Sequence, residues 1–139
     1  MVDVVLEIGA KMPTRAHSTD AGLDLYSREN KVIMPFGGSA TFDTGVHMAF
    51  EHGTYGKIES KSGLNVNHDV VSCGGVIDEG YTGSIAVKLY NFSKEEYLVK
   101  EGDKIAQLVI MPYLTPTLFP TDRLGRSDRG DNGFGSSGR

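Results

Sequence analysis

Residues 85–90 read Ile85-Ala86-Val87-Lys88-Leu89-Tyr90, with an aliphatic side chain at every second position. A period of two puts Ile85, Val87 and Leu89 on one face of an extended strand and Ala86, Lys88 and Tyr90 on the other. The period recurs upstream, where Val2, Val4, Leu6 and Ile8 oppose Asp3, Val5 and Glu7, and again at Val46, Met48 and Phe50. Ile105 to Tyr113 is denser in apolar residues and suits a buried strand. Turn signals punctuate these runs at Pro35 to Gly38, Gly53, Gly74-Gly75, Asp78 to Gly83 and Glu101 to Asp103. Many short strands, with almost no 3.6-residue period, predict an all-β, jelly-roll-like barrel or sandwich. One segment departs from the pattern: Ser60 to His68 predicts a single short helix after a strand ending near Glu59.

The 139 residues fit one compact domain. The spacing predicts a β domain over residues 1–119 and a glycine-rich tail over 120–139, whose only large apolar side chains are Leu124 and Phe134. Two such residues cannot hold twenty on a core, so the tail is expected to stay mobile until something binds it. A net charge of −4 argues against a non-specific nucleic-acid binder, which runs on surplus Lys and Arg. No stretch has the length and apolarity of a membrane span, and the N-terminal residues carry Asp3 and Glu7 where a leader would carry cations. A cytoplasmic location in a bacterial or phage-infected cell is expected, and the lone Cys73 agrees with a reducing compartment.

Some patterns mislead. Gly133, Gly135 and Gly138 spell a dinucleotide fingerprint but open no helix, and Asn91-Phe92-Ser93 spells a glycosylation acceptor without a secretory context. His17, His47, His52 and His68 lack metal-ligand spacing and are expected to be solvated or singly hydrogen-bonded. More informative is the run from Gly74 to Gly83, in which Asp78 and Tyr81 stand three apart among four glycines ahead of a strand. That composition describes a hairpin whose backbone can approach a ligand closely. Ser60-Lys61-Ser62-Gly63 adds a cation and two hydroxyls at a helix start, which suits phosphate oxygens. Arg129 and the strip Gly133 to Gly138 around Phe134 could wrap phosphates and stack on a planar ring. Together these point to a nucleotide polyphosphate site with a single buried acid. A carboxylate that positions water suits hydrolysis, with a divalent ion carried in on the phosphates.

In their order along the chain, five segments resemble those of the trimeric deoxyuridine triphosphatase (dUTPase) family. They are Ala21 to Tyr26, Ser60 to Leu64, Gly75 to Asp78 with Tyr81 and Gly83, Gly102 to Leu108, and Arg129-Gly130 with Gly133 to Gly138. The resemblance implies a homotrimer with active sites shared between subunits. It implies that Asp78 deprotonates the water attacking the α-phosphorus of dUTP, giving dUMP and pyrophosphate. Tyr81 would pack beneath the deoxyribose and exclude a ribose. Gly75, Val76 and Ile77 would read uracil through the backbone, with cytosine rejected by mismatched donors and acceptors and thymine by its methyl group. Lys61, Ser62, Gly63 and Gln107 match phosphate-binding positions. Arg129, Phe134, Gly135, Ser136 and Ser137 match a tail that closes over a neighbour's site. Mg2+ is implied on the substrate triphosphate, without direct protein ligation. Asp24 matches a family acid placed either near the ion's water shell or at the subunit interface.

Three positions depart from the family pattern. Lys61 stands where arginine is usual, so a planar fork becomes a point charge. Ser72 replaces an asparagine near the base, and Ala86 replaces a lysine after the hairpin, leaving a backbone contact. Two other readings compete: a dCTP deaminase of the same superfamily, and a nucleotide-gated regulatory protein that binds a partner protein. The Ile77-Asp78-x-x-Tyr81 context favours hydrolysis over the first, and the chain shows neither an insert nor an altered tail to favour the second.

Overall fold

The computed structural model describes residues 1–138. Residues 86–91 form β9 (Ala86–Asn91), with Val87, Leu89 and Asn91 buried and Ala86 and Lys88 exposed, as the alternation demands. β9 lies between β4 (Gly38–Asp43) and β7 (Val70–Ser72), antiparallel to both. A second sheet runs in the order β2 (Gly22–Tyr26), β11 (Lys104–Pro112), β6 (Thr54–Glu59) and β8 (Val76–Ile77). Two further antiparallel pairs join β1 (Asp3–Leu6) to β5 (Val46–Ala49) and β3 (Lys31–Ile33) to β10 (Tyr97–Val99).

The inner faces meet in one apolar cluster: Leu25, Ile58 and Leu108 from one sheet and Phe42, Val70, Val87 and Leu89 from the other. Ile105 and Ala106 are consecutive yet both buried, because the β2–β11 register shifts between Lys104 and Ala106. A bulge of this kind turns two neighbours to the same side and explains the dense apolar run. The jelly-roll-like all-β reading holds, with α1 (Ser62–His68) as the one helix among the described residues.

One expectation from the alternation needs correcting, and one motif already set aside has a structural role instead. Ile8 does not continue the inward face of β1. The strand ends at Leu6, Glu7 N–H donates to the Gly45 carbonyl, and Gly9 turns the chain at φ 81°, leaving Ile8 fully exposed. Asn91 is no open acceptor for modification. It is fully buried, donates from its amide to the carbonyls of Ile33 and Glu95, and accepts from Ser93.

Candidate active site

The expected site residues fall into three groups. The first gathers around Asp24 on β2. β11 places Gln107 opposite Asp24 on one side and opposite Glu59 on the other, and the Gln107 amide donates to the Ser60 carbonyl at 3.1 Å. Gly22 leaves room for that side chain, since a Cβ there would sit 2.2 Å from the Gln107 Oε1. Asp24 is 5% exposed and is held by two ammonium groups, Lys61 Nζ at 2.5 Å and Lys104 Nζ at 2.7 Å. Burial pushes its carboxyl upward, but the hydrogen bonds and charges of Lys104 and Lys61 outweigh that, leaving it below the usual carboxylate range. Lys61 precedes α1 with an extended backbone and no side-chain cap, so Ser62 and Gly63 open the helix exposed.

The second group is the hairpin. Ser72, at the end of β7, donates its N–H to the Ser60 hydroxyl at 2.9 Å, and the two hydroxyls lie 3.2 Å apart. Ser72 thus ties the first limb of the hairpin to the Asp24 group. Gly75 adopts φ 116°, and a Cβ on it would lie 2.6 Å from the Ile58 Cβ. Only glycine lets this strand press onto β6, where the Gly75 carbonyl accepts the Ile58 N–H at 2.8 Å. Val76 and Ile77 then pair with Lys57 and Gly56. Asp78 and Tyr81 are the first and fourth residues of a β-turn closed by Tyr81 N–H on the Asp78 carbonyl at 3.0 Å. The Tyr81 hydroxyl donates to the Ser84 carbonyl at 3.0 Å, and Gly83 is required beneath the ring, 2.6 Å from Cζ if it bore a Cβ. Ala86 opens β9 opposite Asp43, with its side chain exposed.

The expectation of a single buried acid at position 78 is not met. Asp78 is exposed at the turn tip, and among the described residues the buried carboxylate is Asp24. The hairpin and the Asp24 group are also separated. Ile77 pairs with Gly56, which places Asp78 level with Tyr55, whereas Lys61 lies six residues farther along the extended path of β6. At about 3.3 Å per residue that is roughly 20 Å.

The third group, the C-terminal segment, makes hydrogen bonds only within itself among the described residues. Arg129 donates to the carbonyls of Asn132 and Gly133, the Ser136 N–H reaches the Gly133 carbonyl, and Phe134 is fully exposed. Gly135 takes φ 79°, and Ser137 is exposed with its neighbours.

Sequence reasoning missed several contributors. Lys104 shares Asp24 across the β2–β11 pair, a partnership that no local spacing announces. His47 is bonded through both ring nitrogens, to the Thr82 carbonyl at 2.8 Å and Glu7 at 3.0 Å, where the sequence leads one to expect at most one bond. Arg28 bridges Glu7 and Asp43, and Asp43 accepts from the Ser84 hydroxyl, so this network grips the returning limb of the hairpin. Glu79, beside Asp78, is held by three donors.

Comparison with known proteins gives this architecture its relatives. A dUTPase family model matches residues 9–138. The deoxyuridine 5'-triphosphate nucleotidohydrolase of Alkaliphilus metalliredigens is 43% identical over 93% of this chain and 90% of its own length. The Rattus norvegicus protein of the same name is 42% identical over 94% of this chain, which spans 63% of that longer protein. Among solved structures, the Staphylococcus bacteriophage 80alpha dUTPase with dUpNHpp superposes with a TM-score of 0.89 at 33% identity, covering 100% of this chain and 99% of the phage chain. A point mutant of the dUTPase from the S. aureus phage phi11, described as coordinating a structural Mg(II) ion, gives 0.82 at 31% identity over 88% of this chain and 97% of its own. The order of segments, the β-architecture around Asp24 and the hairpin, and a family match over nearly all the described residues agree, and the chain belongs to the dUTPase family.

Proposed function

We propose that this dUTPase hydrolyses dUTP to dUMP and pyrophosphate with Asp78 as its general base. The water oxygen bonds to the α-phosphorus as Asp78 takes a proton from it. The bond from that phosphorus to the bridging oxygen breaks, and pyrophosphate leaves. The observation that carries this reading is the turn that makes Asp78 and Tyr81 its first and fourth residues, bringing an exposed acid and an aromatic residue to one hairpin tip. Tyr81 would support the deoxyribose, while the backbone of Gly75 to Ile77 reads uracil. One strand edge of that segment is committed to β6, leaving polar backbone groups at the other for the base.

Lys61, Ser62, Gly63 and Gln107 would hold the triphosphate. Asp24 supports them by aiming Lys61 and Lys104 through its two ion pairs, and with both oxygens engaged by ammonium groups it is a counter-ion before it is a partner of metal-bound water. Mg2+ would arrive on the substrate triphosphate, without direct protein ligation. Bound there, the ion would offset the charge that builds on the phosphates.

The roughly 20 Å between Asp78 and Lys61 within one chain supports a site assembled from several subunits, as a homotrimer provides. Arg129, Phe134, Gly135, Ser136 and Ser137 would close over a neighbour's nucleotide. The test combines two dead proteins. Asp78→Asn is expected to lose turnover, and so is a chain lacking residues 128–139, because each lacks a different part. Mixed after co-refolding, they should regain pyrophosphate release from dUTP, and not from UTP, dTTP or dCTP. A mixture as silent as its components would refute shared sites, and Asp78→Asn active on its own would remove the base.

A further inference from the structure

Glu79 is the second residue of the turn between Asp78 and Tyr81, and its carboxylate does not face water alone. The Tyr113 hydroxyl donates to its Oε2 at 2.6 Å and the Gly53 N–H to the same oxygen at 2.8 Å, while His52 Nδ1 lies 2.9 Å from Oε1. Tyr113 closes the arrangement by donating its own N–H to the Gly53 carbonyl at 3.0 Å. Its ring is set edge-on against Tyr55, with centroids 6.1 Å apart. Three separate segments therefore converge on one side chain: the hairpin tip, the turn before β6 and the residue that follows β11. Tyr55, Asp78, Glu79 and Tyr113 also line a common cavity of roughly 420 Å3.

We propose that Glu79 and Tyr113 are positioning residues for the reaction, a strut that fixes the direction of the neighbouring Asp78 and, through the same phenol, the point where the C-terminal segment leaves the barrel. The inference rests on the reading of Asp78 as base. Its logic is mechanical. A two-strand pairing limited to Val76 and Ile77 is too short to define a turn tip by itself. A carboxylate presents only acceptors, so Glu79 satisfies all three donors at once. Those donors hold its pKa down at about 2, with the Tyr113 hydroxyl the largest contributor, so the strut persists throughout the neutral range. Beyond Tyr113 the chain is exposed from Leu114 to Gly138, so among the described residues this phenol is the last anchor before the segment carrying Arg129 and Phe134.

The experiment is a kinetic cycle on the full chain with Glu79→Ala, Tyr113→Phe and the double variant, measured with dUTP and Mg2+. Glu79→Gln serves as the conservative replacement, because its amide oxygen can still accept from Tyr113 and Gly53. Misaiming a base by an ångström costs up to about 100-fold, so Glu79→Ala and Tyr113→Phe should each lower kcat by roughly 10-fold or more. Affinity for dUpNHpp should stay within about threefold, since neither side chain is itself assigned to the phosphates or the base. The double variant should be no worse than the poorer single, and Glu79→Gln should recover most of the loss. Multiplying losses, a loss confined to dUpNHpp affinity, or an unchanged kcat in Tyr113→Phe would each overturn the strut. If Glu79→Ala fails to fold, Tyr113→Phe, which removes one oxygen, decides the matter alone. Asp78→Asn is assayed alongside. An active Asp78→Asn overturns the base assignment and the strut with it, whereas an inactive one beside a normal Tyr113→Phe overturns the strut only.

Discussion

The hairpin of residues 74–84 and the C-terminal segment of residues 120–138 are both rich in glycine and both carry residues assigned to the same nucleotide, yet they use glycine for opposite purposes. Gly74 and Gly80 of the hairpin face open space, but a Cβ on Gly75 would collide with Ile58 and one on Gly83 with Tyr81. Gly75 and Gly83 make room for parts of this same chain. In the C-terminal segment, a Cβ on Gly133, Gly135 or Gly138 would meet nothing within 4 Å. Those glycines answer to backbone conformation, with Gly135 and Gly138 at φ 79° and 77°, or to a surface this chain does not itself supply. The hairpin is therefore packed by its own chain, whereas the proposed role of the segment requires a surface that this chain's body does not contact. If the segment closes as proposed, ordering it costs conformational entropy at each turnover, against which stands the gain of a closed, dry site.

The harshest way to probe the contrast is to remove one side of it. Deleting residues 128–139 should lower kcat/KM for dUTP by about 100-fold or more, because phosphate closure is lost. The thermal midpoint and the oligomeric state should not change, since no body residue hydrogen-bonds to that segment among the described residues. A fall in midpoint of several degrees, read by calorimetry, would mean that the segment is part of the folded body after all.

A paired glycine replacement sharpens the same point. Gly75→Ala forces a side chain into φ 116° and into Ile58, and strain plus overpacking should cost about 2 to 4 kcal/mol. Gly133→Ala, in open space, should stay within about 0.5 kcal/mol of the parent. Urea unfolding followed by fluorescence or circular dichroism gives both values. Equal stability in the two variants would erase the distinction drawn between the regions.

The contrast also marks what can be read from the chain alone. Strands are legible wherever one face is buried, because burial writes the period of two directly into Ile85 to Tyr90 and Val46 to Phe50. The hairpin and α1 are legible through Gly74-Gly75 and Ser60 to His68, whose composition leaves few other conformations. Burial of acids is not. Asp24 sits in a strand whose alternation says nothing of the two lysines that neutralise it, one 37 and the other 80 positions along the sequence. Asp78, set among glycines, carries no local sign that its own chain leaves it uncovered. The network of Glu7, Arg28, Asp43, His47 and Ser84 draws on five separated segments and has no linear signature.

That network supplies the smallest expected effect, a difference in pH response between the two anchors of the hairpin itself. At the tip, Glu79 is ionised in the fold down to about pH 2 against an ordinary 4.5, so its stabilising contribution is present above 4.5 and fades as pH falls toward 2. At the returning limb the sign reverses. His47 faces two acceptors, the Thr82 carbonyl and the Glu7 carboxylate, with Asp43 adding negative charge nearby and Arg28 offsetting part of it through Glu7 and Asp43. Only the imidazolium can donate to both partners, and its pKa is raised above 6.5, first by the Thr82 carbonyl and then by Glu7. That contribution is complete below about 6.5 and is lost as pH rises through the higher folded value. The thermal midpoint of the parent should therefore decline on going from pH 6.5 into the alkaline range. His47→Gln, which keeps one donor and cannot titrate, should lose that slope while sitting slightly lower at pH 6. Because the ring is only partly buried the difference is modest, and scans at constant ionic strength are needed to separate it from general charge repulsion. A parent profile parallel to that of His47→Gln from pH 6 to 9 would show that the returning limb is held by Asp43 and Ser84 without help from the imidazolium.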